Sequence, residues 1–260
     1  MRPRAALALA VGLVLLLTGC GEPGKTPSRV AAPPAASATP TPKPKPRPSR
    51  TTPPKPQLRP LPKNLPAGLH RHSGDRGVAL TFDDGPNPRW TPQILDQLRA
   101  AHVTATFCLI GQQARRYPQL VARIVREGHQ LCNHSWRHDM NLGRRPVADI
   151  RADLVRTNQA IRAAAPNAKI TWFRQPGGRW TAEEVAVAGQ LGMRPLHWSV
   201  DPQDWDRPPA KAIIKRVESA SRPGSVVLMH DAGGDRSQTM AACRTLIPDL
   251  RRRYGITQLR

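Results

Sequence analysis

Six short apolar runs lie between residues 78 and 229, and longer amphipathic stretches separate them. The runs are rich in Val, Ile, Leu and Phe, which favour β-strands, and they cover residues 78–82, 105–110, 130–132, 170–173, 194–200 and 225–229. The stretches repeat apolar residues at the helical period, and they cover residues 92–101, 113–127, 147–164, 181–191, 209–220 and 239–253. The pattern predicts strands that alternate with helices.

Strands alternating with helices form βαβ units, which give a parallel sheet and an α/β fold. Residues 67–260 contain all of these elements and are numerous enough for a full hydrophobic core. We therefore predict a single folded domain over residues 67–260.

The polar residues of greatest chemical interest directly follow the apolar runs. They are Asp83 and Asp84 after the first run, His134 after the third, Arg174 after the fourth, Asp201 after the fifth and His230 after the sixth. The carboxyl ends of parallel strands converge on one face, where α/β proteins build their active sites. We expect these side chains to meet on that face.

Two adjacent carboxylates, Asp83 and Asp84, precede a Gly85-Pro86 turn. Adjacent acids in such a turn are often only turn-forming residues. In a catalytic site they can divide two tasks, because one can bind a metal while the other stays free as a base. The motif alone leaves both interpretations open.

His134 and His138 are four residues apart, a spacing that places both imidazoles on one side of a helical turn. Such pairs also occur by chance on protein surfaces. With Asp84 they would form a two-His, one-carboxylate metal site that keeps one position open for water, as catalytic metal sites do. Zinc is the expected divalent metal, and cobalt, manganese or nickel would accept the same ligands.

The first 19 residues have the pattern of a secretory signal. Two Arg residues precede an apolar run that is short for a membrane span but suits a signal peptide. The ending Leu17-Thr18-Gly19-Cys20 resembles a bacterial lipobox, where the signal is cut before a Cys that carries lipid. We expect residues 1–19 to be a lipoprotein signal peptide and Cys20 to be lipidated; an ordinary signal peptide or a single-pass anchor is the alternative.

The segment 20–66 is predicted to be a disordered tether. It holds 15 of the 29 Pro residues and no aromatic residue, so it cannot bury enough surface to offset the entropy of ordering. A lipidated Cys20 followed by this tether would attach the domain to the membrane of a bacterium, outside the cytoplasm and facing the cell wall.

The net charge of +22 raises the possibility of a nucleic-acid partner. Only three Lys residues occur in 67–260, and its Arg residues are scattered rather than clustered. An Arg-, Ala- and Pro-rich chain that is poor in Lys is typical of a GC-rich genome. We therefore expect no nucleic-acid partner, and we expect a monomer.

Five motifs in order resemble the polysaccharide deacetylases with a NodB-homology domain, that is, carbohydrate esterase family four. They are TFDDGP from Thr81, HSWRH from His134, RQP from Arg174, DPQDW from Asp201 and LMH from Leu228. The resemblance covers about residues 76–257, and five motifs in order are far more specific than any one. It implies a deformed (β/α) barrel of about seven strands with a divalent metal in a surface groove.

The resemblance also implies a role for each motif residue. Asp83 resembles the general base, and Arg174 resembles the residue that orients it. Asp84, His134 and His138 resemble the metal ligands. His230 resembles the general acid, and Asp201 resembles the partner that keeps it charged.

Three further residues resemble parts of the substrate pocket. The backbone N–H of Gly177 would stabilise the oxyanion, and Trp205 and Leu228 would form the walls around the acetyl group. Many family members carry Tyr where this chain has Gly177. A backbone donor survives that change, but the side chain that would shape the groove does not.

The expected function is a metal-dependent hydrolase that removes N-acetyl groups from an aminosugar polysaccharide. The predicted anchor favours peptidoglycan N-acetylglucosamine as the substrate, with acetylxylan and chitin oligomers as alternatives. A catalytically inactive carbohydrate-binding barrel is a second hypothesis, and a basic binder of anionic polymers is a third.

Three Cys residues remain in the predicted extracytoplasmic domain, where disulfides form. Cys108 and Cys132 lie in consecutive apolar runs joined by a helical crossover, so their strands should be neighbours. We predict a Cys108–Cys132 disulfide and leave Cys243 unpaired. Three separate buried thiols are the alternative.

Overall fold

The computed structural model describes residue 59 and residues 61–260. The predicted signal peptide 1–19, the lipidated Cys20 and the rest of the tether, 21–58 and 60, lie outside the described residues. Within the described part of the chain, no helix has both the length and the apolar character needed to cross a membrane.

Six parallel strands form one sheet in the described residues. They are β1 (Ala79–Asp83), β2 (Thr106–Leu109), β3 (Gln130–Asn133), β4 (Ile170–Phe173), β5 (Arg194–Pro195) and β6 (Val226–His230). Their order is β5-β4-β3-β2-β1-β6, and the sheet curls into a half-barrel. The predicted α/β fold with a deformed barrel is confirmed, with six strands rather than about seven.

Seven α-helices accompany the sheet in the part of the chain that the structure describes. They are α1 (Thr91–Ala100), α2 (Gly111–Arg116), α3 (Pro118–Arg126), α4 (Val147–Ala164), α5 (Ala182–Gln190), α6 (Ala210–Ala220) and α7 (Ser237–Tyr254). The predicted helix 113–127 is two helices that meet at Tyr117. Pro118 has no N–H to continue the first helix, and it disfavours a helical backbone at the residue before it.

The two faces of each strand pack against different surroundings because side chains alternate along a strand. Leu80 and Phe82 of β1 belong to the large core cluster shared with the helices. Ala79 belongs to a smaller cluster with strand residues Cys108 and Cys132, on the inner side of the curl. Asp83 is four residues after Ala79 and therefore shares this inner side.

The fifth predicted strand, 194–200, is only partly a strand. After β5 the chain leaves the edge of the sheet, and Val200 forms a bridge with Val227 of β6. The N–H of Leu228 donates to the carbonyl of Val200 at 2.9 Å. This segment therefore connects the two edges of the sheet, in the place where a further barrel strand would lie.

Cys108 and Cys132 form the predicted disulfide, so that prediction is confirmed. They are register partners in β2 and β3, with Cα atoms 4.1 Å apart. Cys243 is a free thiol buried on α7, as expected. The bridge joins the two strands just before Asn133, the last residue of β3.

Arg59, at the start of the described chain, is bonded to the loop that follows His138. Its guanidinium donates to the carbonyls of Gly143 and Arg145 at 2.8 and 2.9 Å, and it also pairs with Glu183. The end of the tether is therefore fixed next to this loop.

Candidate metal and catalytic site

The predicted site residues meet at the carboxyl edge of the sheet. Asp83 ends β1 and His230 ends β6, and the two are register partners on neighbouring strands. His134 directly follows β3, and Arg174 directly follows β4. Strand order therefore places Asp83 beside His230 and His134 beside Arg174, with β2 between the two pairs.

Asp84, His134 and His138, which we call the ligand trio, place one ligand atom each within 4.8 Å of the others. Asp84 Oδ1 lies 3.4 Å from His138 Nε2 and 3.6 Å from His134 Nε2. This is a possible two-His, one-carboxylate metal site with room for further ligands.

The environment of the trio fits a divalent cation. Asp84 Oδ1 is buried and has no hydrogen-bond partner. His134 Nδ1 lies 2.7 Å from the carbonyl oxygen of Arg174, which can only accept, so Nδ1 carries the hydrogen and Nε2 is free to bind a metal. Such an outer hydrogen bond is the usual way in which a metal-binding His is oriented.

The backbone reaches this arrangement by turns rather than by a helix, so the helical interpretation of the His pair is wrong. Ser135 and His138 have φ values of 63° and 60°, in the left-handed region that interrupts a helix. The side chain of Asn133 stabilises the turn by accepting the N–H of Ser135 at 2.9 Å. The two His rings still meet, with centroids 5.1 Å apart.

The charges around Asp84 favour its ionised form. Burial alone would raise the pKa of Asp84, but its interactions with His134 and His230 outweigh burial and hold the pKa below its usual range. Burial and the neighbouring His134 lower the pKa of His138. A carboxylate beside a neutral imidazole is the form in which both residues bind a metal.

A buried ion pair fixes the orientation of Asp83 beside the trio. Arg174, which is fully buried, donates from Nη1 to Asp83 Oδ1 at 2.6 Å and to Thr81 Oγ1 at 2.9 Å. Asp83 Oδ2 is the oxygen that faces the trio, 3.6 Å from His134 Nε2. The predicted contact between Arg174 and Asp83 is present.

His230 is held by a buried carboxylate. Its Nδ1 lies 2.7 Å from Asp204 Oδ1, and Asp204 Oδ2 accepts the N–H of His230 and the hydroxyl of Thr239. Burial would lower the pKa of His230, but the charge and hydrogen bond of Asp204 raise it to about 9. His230 is therefore protonated at neutral pH.

The carboxylate beside His230 is Asp204, so the prediction that Asp201 fills this position is wrong. Asp201 is exposed and accepts the N–H of Gln203 at 2.7 Å. Gln203 is left-handed, with a φ of 55°, and this turn directs Asp204 inward. The motif DPQDW contains both acids, and its spacing does not show which of them is buried.

Two residues near the site were not found from the sequence. Arg236 is buried and donates to the carbonyls of Asp204, Ala232 and Gly233, which fixes the loop after β6. A Cβ on Gly233 would collide with Asp84 Oδ2. Neither residue stands in a recognisable motif, and only their contacts reveal them.

The three predicted pocket residues have different surroundings. Gly177 lies in a tight turn, Pro176–Gly178, just after Arg174, and has a φ of 64°. Leu228 is buried in β6 on the same face as His230. Trp205 is 49% exposed and directly follows Asp204. Their roles toward a substrate stay predictions.

The described residues thus form a parallel half-barrel that carries Asp83, His230 and a possible Asp-His-His metal site at its carboxyl edge. The family model for polysaccharide deacetylase matches residues 70–196. A chitooligosaccharide deacetylase of Bradyrhizobium sp. (strain ANU 289) is 43% identical over 192 residues, which are 70% of this chain and 87% of that protein. The chain belongs to the polysaccharide deacetylase family, whose members are hydrolases.

Solved structures show the same fold. A peptidoglycan N-acetylglucosamine deacetylase, solved with a naphthyl N-oxidanyl-benzamide, has a TM-score of 0.69 and 34% identity, and the match covers 74% of this chain and 89% of that one. A pseudoenzyme of carbohydrate esterase family four from Bacillus anthracis has a TM-score of 0.66 and 33% identity, with coverage of 71% and 64%. The family therefore includes both active and inactive barrels.

The two adjacent acids should differ in their effect on metal binding. We expect Asp84→Asn to weaken metal affinity by more than about 100-fold. Loss of a residue that only orients a ligand costs up to about 100-fold, and loss of a direct ligand should cost more. Asp83→Asn should retain the metal within about tenfold, because Asp83 is bonded to Arg174 and lies outside the trio. Metal content and affinity of the purified variants measure this. Equal losses in both variants would show that the acids share one role.

Proposed function

We propose that the protein removes acetyl groups from N-acetylglucosamine residues of a β-linked polymer, with a divalent metal held by the ligand trio. The observation that carries the proposal is the pairing of Asp83 and His230 beside the trio, at the ends of neighbouring strands. One side chain can accept a proton there and the other can donate one. Zinc is the metal that two His ligands and one carboxylate suit best.

Asp83 is the proposed base. Its Oδ1 is occupied by Arg174, so its Oδ2 is the oxygen left to take a proton from an attacking water. The Arg174 ion pair also fixes the direction of the carboxylate. When bound, a metal in the trio would polarise the acetyl carbonyl and acidify water.

His230 is the proposed acid. Because Nδ1 is bonded to Asp204, the Nε2 hydrogen of the charged ring is the one available to the departing sugar amine. An amine leaves readily only after it is protonated, so a charged His is needed at this point. Asp204 takes the role that the resemblance had suggested for Asp201.

The remaining groups are proposed to bind the acetyl group. The N–H of Gly177 would donate to the oxyanion, while Leu228 and Trp205 would contact the acetyl methyl. Every polar group that the reaction needs is present in the described residues. This favours an enzyme over the inactive, carbohydrate-binding barrel that the Bacillus anthracis relative represents.

The sequence-based preference for peptidoglycan rests on the predicted membrane anchor alone. The 43% identical relative is named for chito-oligosaccharides, whereas the peptidoglycan enzyme above shares 34% identity. We therefore propose a linear chito-oligosaccharide as the preferred substrate. Peptidoglycan is the second candidate, since both contain β-linked N-acetylglucosamine.

We further propose that Cys20 is lipidated and that the tether holds the domain outside the cytoplasm, on the basis of the Leu17-Thr18-Gly19-Cys20 sequence. Cys20→Ser should move the full-length protein from the membrane fraction to the soluble fraction, while Cys243→Ser, which changes a thiol inside the domain, should not. Fractionation of cells expressing each variant measures this. Retention of Cys20→Ser on the membrane would instead indicate a single-pass anchor.

Acetate release tests the proposed reaction. The metal-free protein should release no acetate from chitin oligomers, peptidoglycan or acetylxylan, and added zinc, cobalt, manganese or nickel should restore release from the first two. Chitin oligomers should give the higher kcat/KM. Asp83→Asn is the control that binds metal but does not turn over. Release that survives metal removal, or release from acetylxylan alone, would contradict the proposal.

The pH profile tests the acid. Because a raised pKa keeps His230 charged up to about pH 9, wild-type kcat/KM should fall only as the pH rises through about 9. Asp204→Asn removes the largest of the charges that raise the pKa of His230, so the fall should move to lower pH. Asp201→Asn, in the same motif but exposed, should leave the profile unchanged. A shift with Asp201→Asn and none with Asp204→Asn would overturn the assignment.

A further inference from the structure

Met140 is a large apolar side chain exposed at the edge of the site. It lies two residues after His138 and is 42% exposed. Its terminal methyl lies against Gly177, because a Cβ on Gly177 would be only 2.5 Å from Met140 Cε. Met140 therefore occupies the volume that a side chain at position 177 would need.

Gly177 permits this contact for two reasons. It has no Cβ, and its φ of 64° is a conformation that other residues adopt at a cost. The terminal methyl of Met140, a residue of a different loop, therefore fills the space beside Gly177.

The backbone around Met140 is anchored rather than free. Gln175 is fully buried, and its amide nitrogen lies 3.4 Å from the carbonyl oxygens of both Asp139 and Met140. Gln175 also stands between Arg174 and the turn that contains Gly177. The Met140 loop and the proposed oxyanion turn are therefore held together by one buried side chain.

The position of Met140 fits contact with a sugar ring. It follows His138, a member of the ligand trio, by two residues, and its terminal methyl adjoins Gly177 of the proposed oxyanion turn. One face of a pyranose ring carries C–H groups and packs on apolar side chains. A flexible thioether adapts to such a surface, and burial of the exposed Met140 side chain under a sugar would be favourable.

We propose that Met140 is a substrate-binding residue that packs against the ring of an N-acetylglucosamine unit and supplies the groove wall that Gly177 lacks. This inference rests on the proposed function, since it names a contact to that substrate. The contact is to the sugar ring and not to the reacting acetyl group. It therefore acts mainly on binding of the oligosaccharide, and less on turnover of bound substrate.

The test compares three substitutions on a chitin oligomer and on a small acetyl ester that has no sugar ring. Met140→Ala should raise KM for the oligomer about fivefold to tenfold and change kcat less than about twofold, since it removes an apolar contact of ordinary size. Met140→Leu should restore most of the affinity, whereas Met140→Gln, of similar length but polar, should not. Met140→Ala should not raise KM for the ester to a comparable degree.

Leu65→Ala is the matched control, because Leu65 is an apolar side chain exposed to a similar degree (44%). Direct binding of the oligomer, measured by calorimetry, separates the inference from the proposed function. If the wild type binds the oligomer without releasing acetate, the proposed function fails, and the loss of binding in Met140→Ala still supports the contact. An unchanged KM and binding constant in Met140→Ala, or no binding of the oligomer by the wild type, would overturn the proposed contact between Met140 and the sugar ring.

Discussion

The buried ion pair between Arg174 and Asp83 is the constraint on which the site depends. It joins the end of β1 to the end of β4, and both partners are almost completely removed from water. Removal of one partner from such a pair typically costs about 3–5 kcal/mol, because the other charge is left buried and alone. The pair therefore fixes Asp83, while the positive φ of Asp84, 76°, turns the next carboxylate toward the His ligands. The two adjacent acids thus have different surroundings, which is the basis of the different roles that we propose for them.

A contact between buried polar residues also fixes the opposite side of the site. Asp204 is buried and accepts three hydrogen bonds, two of them from His230. Arg236 donates a hydrogen bond to the main-chain carbonyl of Asp204 and thereby fixes the turn that carries Asp204. The proposed acid and the proposed base are therefore each held by a buried charged residue from another part of the chain, and these contacts form without substrate. Such prearranged charge is a large part of how enzymes lower barriers.

The fold and most of the site could be predicted because both follow from local patterns. Apolar runs that alternate with helical stretches gave the parallel sheet, and the rule that strand ends converge brought Asp83 and His230 together. The sequence could not identify Asp204 as the partner of His230, because its burial depends on a left-handed turn at Gln203 that the motif does not show. The contact of Met140 with Gly177 joins two loops, and no spacing along the chain indicates it. Contacts of this kind depend on the tertiary structure and cannot be predicted from local sequence patterns.

The division of roles between Asp83 and Asp84 is the central claim, and anomalous X-ray diffraction from crystals grown with zinc tests it most directly. The account predicts one metal peak with Asp84, His134 and His138 as ligands at about 2.0–2.2 Å, and Asp83 still bonded to Arg174 outside the coordination sphere. A metal bound by Asp83, or a peak away from the His pair, would contradict it.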